Sequence, residues 1–132
     1  MAATTIQPEG WAKPRGYSNG MRARGDFLAV AGQIAWDAQA RLVGEGDFVA
    51  QFEQALANVV AVVRAAGGAP EDLISLTVYV TDRAEYAARL ADVGAAYRRV
   101  MGKHYPTMAL VQVAGLLEVH AKVEIQGLAV LS

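Results

Sequence analysis

Residues Tyr105 to Leu131, YPTMALVQVAGLLEVHAKVEIQGLAVL, limit the fold more than any other stretch of this chain. They read as two strands, Thr107 to Val113 and Ala121 to Leu131, joined by a short loop at Gly115 to His120. Successive side chains of a strand point to opposite faces. Met108, Leu110 and Gln112 therefore share one face of the first strand, and Ala109, Val111 and Val113 the other. In the second, Ala121, Val123, Ile125, Gly127, Ala129 and Leu131 lie opposite Lys122, Glu124, Gln126, Leu128 and Val130. Neither strand has a purely polar side, so the sheet must be covered on both faces. Helices can cover one. The rest of the chain supplies nothing obvious for the other, which points to an oligomer.

The composition agrees. A hydrophobic fraction of 54% with only 19% charged residues is apolar for a small monomer, so some of that surface is expected between subunits. At 132 residues one domain is expected, long enough for a real core. A net charge of −1 without a basic patch argues against nucleic acid and anionic membranes as partners. Cysteine is absent, which excludes disulfides, thiolate catalysis and Cys-ligated metal. No apolar run has the length of a membrane span. The start, MAATTIQPEGW, lacks the charged head and apolar core of a signal peptide, so a cytoplasmic location is expected.

Taken in order, residues 1–16 form an irregular or extended lead-in punctuated by Pro8, Gly10, Pro14 and Gly16. Tyr17 to Arg24 is a candidate first strand, and Phe27 to Ile34 a firm one, in which Gly32 suggests a bulge or a close backbone approach. Trp36 to Gly46 reads as a loop with a short strand near Arg41 to Val43. Asp47 caps a helix whose stripe is Phe48, Phe52, Ala55, Leu56, Val59 and Val63, ended by Gly67-Gly68. Ile74 to Thr81 alternates strictly, with Ile74, Leu76, Val78 and Val80 inward. Asp82 caps a second helix with the stripe Tyr86, Leu90, Val93, Tyr97 and Met101. This order predicts an α+β sheet with both helices on one face. It also predicts a parallel pairing of Phe27–Ile34 with Ile74–Thr81, and a hairpin-like pairing of the last two strands.

Few side chains suggest chemistry. Ser18, Ser75 and Ser132 lack a nucleophile elbow, and no glycine-rich phosphate loop precedes a helix. His104 and His120 are not spaced as a metal pair, so neither metal nor cofactor is expected. Glu124 is the most informative carboxylate, because it interrupts an apolar strand. It pairs with Lys122 or with an arginine of another strand, or it is a partly desolvated acid able to position or activate water. Gln112 serves equally inside a cleft or in a structural cross-strand bond, and Tyr17 and Trp36 read first as ordinary packing aromatics.

Several short stretches, in this order and spacing, carry a resemblance. They are Gly16-Tyr17-Ser18, Val30-Ala31-Gly32-Gln33-Ile34, Gln54-Ala55-Leu56-Ala57-Asn58-Val59 with Ala65-Ala66-Gly67-Gly68, Thr77-Val78-Tyr79-Val80-Thr81-Asp82, Tyr105-Pro106 and Lys122-Val123-Glu124-Ile125. From about Gly16 to Leu131 the chain resembles the reactive-intermediate deaminases, known as RidA or YjgF-type and as L-PSP endoribonuclease-like. The resemblance implies a chorismate-mutase-like α+β fold and a homotrimer with a central barrel, with clefts between subunits. It also implies hydrolysis of 2-imino or 2-enamino acids to 2-keto acids and ammonia.

Carried over residue by residue, the resemblance makes Glu124 the water-handling glutamate, Tyr17 the cleft tyrosine and Gly32 the backbone-contact glycine. Met108 stands where the family has its carboxylate-binding arginine, Leu110 where cysteine or serine is frequent, and Gly94 where an asparagine is frequent. The chain thus resembles an arginine-lacking branch. Methionine cannot make a bidentate carboxylate contact. Arg15, Arg22, Arg24, Arg83, Arg89, Arg98 and Arg99 are the candidate substitutes, and the sequence selects none. The expected function is a Rid-like hydrolase of an imine, enamine or related C–N bond. The alternative is a trimer that binds a small metabolite without chemistry. The near-neutral charge argues against the ribonuclease activity in the family's older name.

Overall fold

The computed structural model describes residues 3–132; Met1 and Ala2, the start of the expected lead-in, lie outside them. Strand β1 (Thr4–Ile6) pairs antiparallel with β2 (Gly20–Arg22) in a small ribbon. The lead-in therefore contains a strand, and the candidate strand Tyr17–Arg24 shrinks to three residues. Strand β3 (Asp26–Gln33) leads through the loop at 34–47 to helix α1 (Phe48–Ala65). In that loop an isolated bridge joins Trp36 to Leu42, close to the expected short strand. A 3₁₀ turn (Pro70–Asp72) precedes β4 (Leu73–Val80), and α2 (Arg83–Ala88) and α3 (Leu90–Met101) follow. The chain ends with β5 (Thr107–Gln112) and β6 (Val123–Leu131).

Local signals set the element ends. Asp47 accepts a hydrogen bond from the amide of Ala50 at 3.1 Å, and Asp82 accepts from those of Ala84 and Glu85. Gly67 takes φ +91° after α1, and the Gly68 amide returns to the Val63 carbonyl, a left-handed helix stop. The second predicted helix is broken at Arg89 (φ −120°, ψ 25°), whose amide bonds Tyr86 three residues back. Leu90 follows this break and stays 57% exposed instead of joining the core stripe.

The main sheet has the order β3-β6-β4-β5. The pairing differs from the sequence expectation at two places. β3 and β4 do run in the same direction, but they are not paired, because β6 lies between them antiparallel to both. β5 and β6 are not a hairpin either: β5 pairs parallel with β4, and the chain crosses the sheet end before β6. The reason is burial. β6 carries Val123, Ile125 and Ala129, all fully buried, and a central position satisfies both of its backbone edges and covers this face. The 113–122 connection is long enough to pass over one strand, roughly 10 Å across two strand spacings.

The helices cover one face of the sheet. Phe52, Leu56, Val59 and Val63 of α1 and Val93, Ala96, Tyr97 and Met101 of α3 pack with Leu76, Val78, Val80 and Ile125 in one core. At the start of β4 a register shift between Leu73 and Ser75 turns Leu73 inward in place of Ile74. Gln51 is the one polar residue fully buried among those described. Its amide nitrogen donates to the carbonyls of Gly44 and His120, and its oxygen accepts from the Lys122 amide, so α1, the 34–47 loop and the entry to β6 are tied together. Among the described residues no helix is long and apolar enough to cross a membrane.

Candidate functional site

Glu124 lies on β6 opposite Tyr79 of β4, on the sheet face away from the helices. It is half-buried. The pairing of β3 with β6 slips between Val30 and Gln33, and this bulge lays the backbone of Gly32 against the glutamate. A Cβ at Gly32 would overlap Glu124 Oε2 and come within 2.8 Å of its Cδ. Only glycine lets the carboxyl rest on the main chain there. Lys122 does not neutralise Glu124, because it pairs with Glu85 of α2 at 3.0 Å. Among the described residues Glu124 has no ion-pair partner within 4.0 Å. It borders a recess of about 420 Å³ with Gly32, Trp36, Leu42, Leu117 and Glu118. Asn58 of α1 supports the rim by donating to the carbonyls of Ile34 and Trp36.

Met108 and Leu110 face the other way. They line a cleft of about 260 Å³ between β5 and the α2–α3 helices, with Phe52, Tyr86, Gly94 and Arg98. Arg98 is the only charged residue in that lining. Burial raises the phenol pKa of Tyr86, and burial aided by the neighbouring Tyr105 raises that of Tyr97, so both walls stay neutral over the ordinary pH range. Tyr97 donates to the His104 carbonyl at 2.6 Å and stacks on Tyr105, its ring 5.2 Å away. His104 is itself held against the Leu73 carbonyl.

The predicted site residues thus fall into separate groups. Glu124 and Gly32 meet on one face of the sheet, and Gly94, Met108 and Leu110 meet on the other. Tyr17 lines a neighbouring recess that shares Gly16 and Tyr105 with the Met108 cleft. The lead-in is held there by Ser18, whose hydroxyl donates to the Tyr105 carbonyl at 2.6 Å. Gln112 joins neither group; its oxygen accepts from the Arg83 amide at the start of α2. Arg98 and Trp36 enter the site from the fold. One helical turn between Gly94 and Arg98 was the available signal for the first.

The comparisons with known proteins agree with this architecture. The family model described as Endoribonuclease L-PSP matches residues 11–131. A RutC family protein of Pyrococcus horikoshii is 37% identical over 112 residues, covering 84% of this chain and 85% of that protein. A 2-iminobutanoate/2-iminopropanoate deaminase of Salmonella typhimurium is 36% identical over 109 residues, 80% of each chain. Among solved structures, a Rid-family protein of unknown function from Yersinia pestis superposes with a TM-score of 0.85 at 34% identity, covering 99% of this chain and 100% of the other. The chain belongs to the RidA/YjgF family of endoribonuclease L-PSP-like proteins.

Proposed function

We propose that the chain, a single Rid-like domain over residues 1–132, is a Rid-like enzyme. It hydrolyses an imine, enamine or related C–N bond in a cleft between subunits of a homotrimer. The observation that carries this reading is the unpaired Glu124 carboxyl laid on the Gly32 backbone beside an open recess. In that position it takes a proton from water as the water oxygen adds to the carbon of the protonated imine. It returns that proton to the nitrogen of the resulting carbinolamine, and the C–N bond then breaks as the carbonyl forms, ammonia leaving and taking up the hydroxyl's proton. The imine deaminases among the relatives support the reaction class.

The separation of the two half-sites supports the inter-subunit cleft. Met108 pairs with Leu76, and Glu124 with Tyr79, so they differ by three residues along β4 and by two strand spacings. That is roughly 10 Å in each direction, on opposite faces of the sheet. One subunit cannot present both groups to one small molecule, whereas two subunits can, each giving one half. The apolar floor of Met108 and Leu110 in place of the family's arginine favours a second reading, a trimer that binds an apolar metabolite without chemistry.

The test is hydrolysis of 2-imino acids formed in place by an amino-acid oxidase. Wild type should shorten the imine's lifetime, and Glu124→Ala should lose about 10²–10⁴ in rate. Equal rates for wild type and Glu124→Ala would sink the mechanism. No wild-type turnover, with activity gained by Met108→Arg, would mean that the native substrate lies outside the 2-imino acids. Silence in all of them would favour the binding protein.

A further inference from the structure

Met108 leaves the cleft without a cation on its strand. The structure supplies one from the opposite wall. We infer that Arg98 is the anion-binding residue of this cleft, that the bare Gly94 leaves its guanidinium clear of any long side chain, and that the ligand it selects is a small apolar monocarboxylate. The inference rests on reading this cleft as the substrate half-site.

Helical side chains lean toward the helix N-terminus, so Arg98 runs back over the residue one turn before it. That residue is Gly94. A Cβ at Gly94 would stand 3.4 Å from Arg98 Nη1 and meet no other atom within 4 Å. Neither backbone strain nor tight helix packing requires the glycine: a Cβ there would only touch the guanidinium at ordinary contact distance, while a longer side chain would run into it. The neighbouring arginines of the same layer are committed elsewhere. Arg99 grips Glu53 at 2.7 Å and Arg89 grips Asp92 at 2.9 Å. Arg98 has neither an ion pair nor a side-chain hydrogen bond among the described residues, and no carboxylate lines its cleft.

Ligand class follows from these walls. A guanidinium fork suits a planar, bidentate oxyanion. A single cation over Met108, Leu110, Phe52 and Val78 balances one negative charge, and leaves a phosphate dianion half neutralised against an apolar floor. About 260 Å³ is below the range of drug-sized sites and suits a short side chain.

The experiment is calorimetric titration of the full-length protein with 2-oxobutanoate, its neutral amide 2-oxobutanamide, and inorganic phosphate. Wild type should bind the carboxylate saturably and in preference to the other two. Arg98→Gln should weaken it about ten- to a hundredfold. Gly94→Leu should weaken it similarly while the melting temperature holds or rises, since leucine is the better helix former. Adding Met108→Arg to Arg98→Gln should restore binding by returning a cation to the strand. Absence of carboxylate binding in wild type, equal binding by Arg98→Gln, or equal binding of the amide or of phosphate would overturn the assignment. Hydrolysis is scored separately. Binding that depends on Arg98 without any imine turnover would leave this assignment standing and remove the hydrolase. Turnover that depends on Glu124 but ignores Arg98→Gln would do the reverse.

Discussion

The two faces of the main sheet differ in how far the chain finishes them. On the helix side, Leu76, Val78, Val80, Ile125 and Ala129 are covered by α1 and α3 to within 1% of full burial. On the other side Phe27 remains 68% exposed and Val111 43%, flanking a polar band in which Tyr79 donates to Gln126 beside Glu124. Their recesses also differ in sign. The open face presents Glu118 and Glu124, and the helix side presents Arg98. One face is closed by covalently attached partners and fixes the fold. The other leaves large apolar side chains in water around an acidic recess, and exposed apolar surface of this kind marks a site of interaction.

The sharpest way to break this contrast is to remove equal kinds of group from both faces. Leu76 sits 1% exposed beneath α1. Leu76→Ala deletes buried methyl groups and leaves a cavity, and should cost about 2–5 kcal/mol in chemical denaturation. A loss below about 1 kcal/mol would mean that the helix-side core is not what holds the subunit together. Phe27→Lys attacks the other face. Its ring is already largely in water in the isolated chain, so the subunit should fold unchanged. In the proposed trimer that ring would be covered, worth about 1–2 kcal/mol per subunit. Sedimentation should therefore show a shift toward smaller species at low protein concentration. An unchanged distribution would place the subunit interface elsewhere.

How much of this was legible in the sequence depended on the range of the signal. Asp47, Asp82 and Gly67 announce helix ends through bonds made within a few residues, and the structure has them so. Gly32 inside a strand announces a bulge for the same reason. Strand order was not legible, because nothing within β5 or β6 states that β4 lies between them. The inward position of Leu73 depends on a register shift, and register is a property of the pair. Gln51 looks like any helix-surface amide until the 34–47 loop and the Lys122 amide close around it. For the site, Glu124 stood out as a carboxylate in an apolar strand. Gln112 could not be distinguished from a cleft residue, because its partner, the Arg83 amide, is 29 residues away. Arg98 was one of seven equivalent arginines until its neighbours were seen to be paired.

The smallest expected effect tests whether the helix side owes anything to surface charge as well as to burial. Arg99 of α3 donates to both oxygens of Glu53 of α1, at 3.1 and 2.7 Å. The hydrogen bonds from Arg99 hold the Glu53 carboxyl below the ordinary glutamate range; burial opposes them, and the Arg99 charge adds a lesser pull in their direction. A carboxyl whose folded pKa lies below its unfolded one adds stability above the unfolded value of about 4.3, and that stability disappears as pH falls through the folded value. Acidification through that window should thus weaken the α1–α3 clasp, while alkaline pH leaves it untouched. Because both side chains are open to water, the contribution is screened and ranks well below that of Leu76. Glu53→Gln should lower the melting temperature slightly at neutral pH and low salt. The difference from wild type should close at high salt, and again below the folded pKa where wild type has lost its charge. A difference that persists at low pH would assign the loss to packing between the helices, and the covered face would then owe its stability to burial alone.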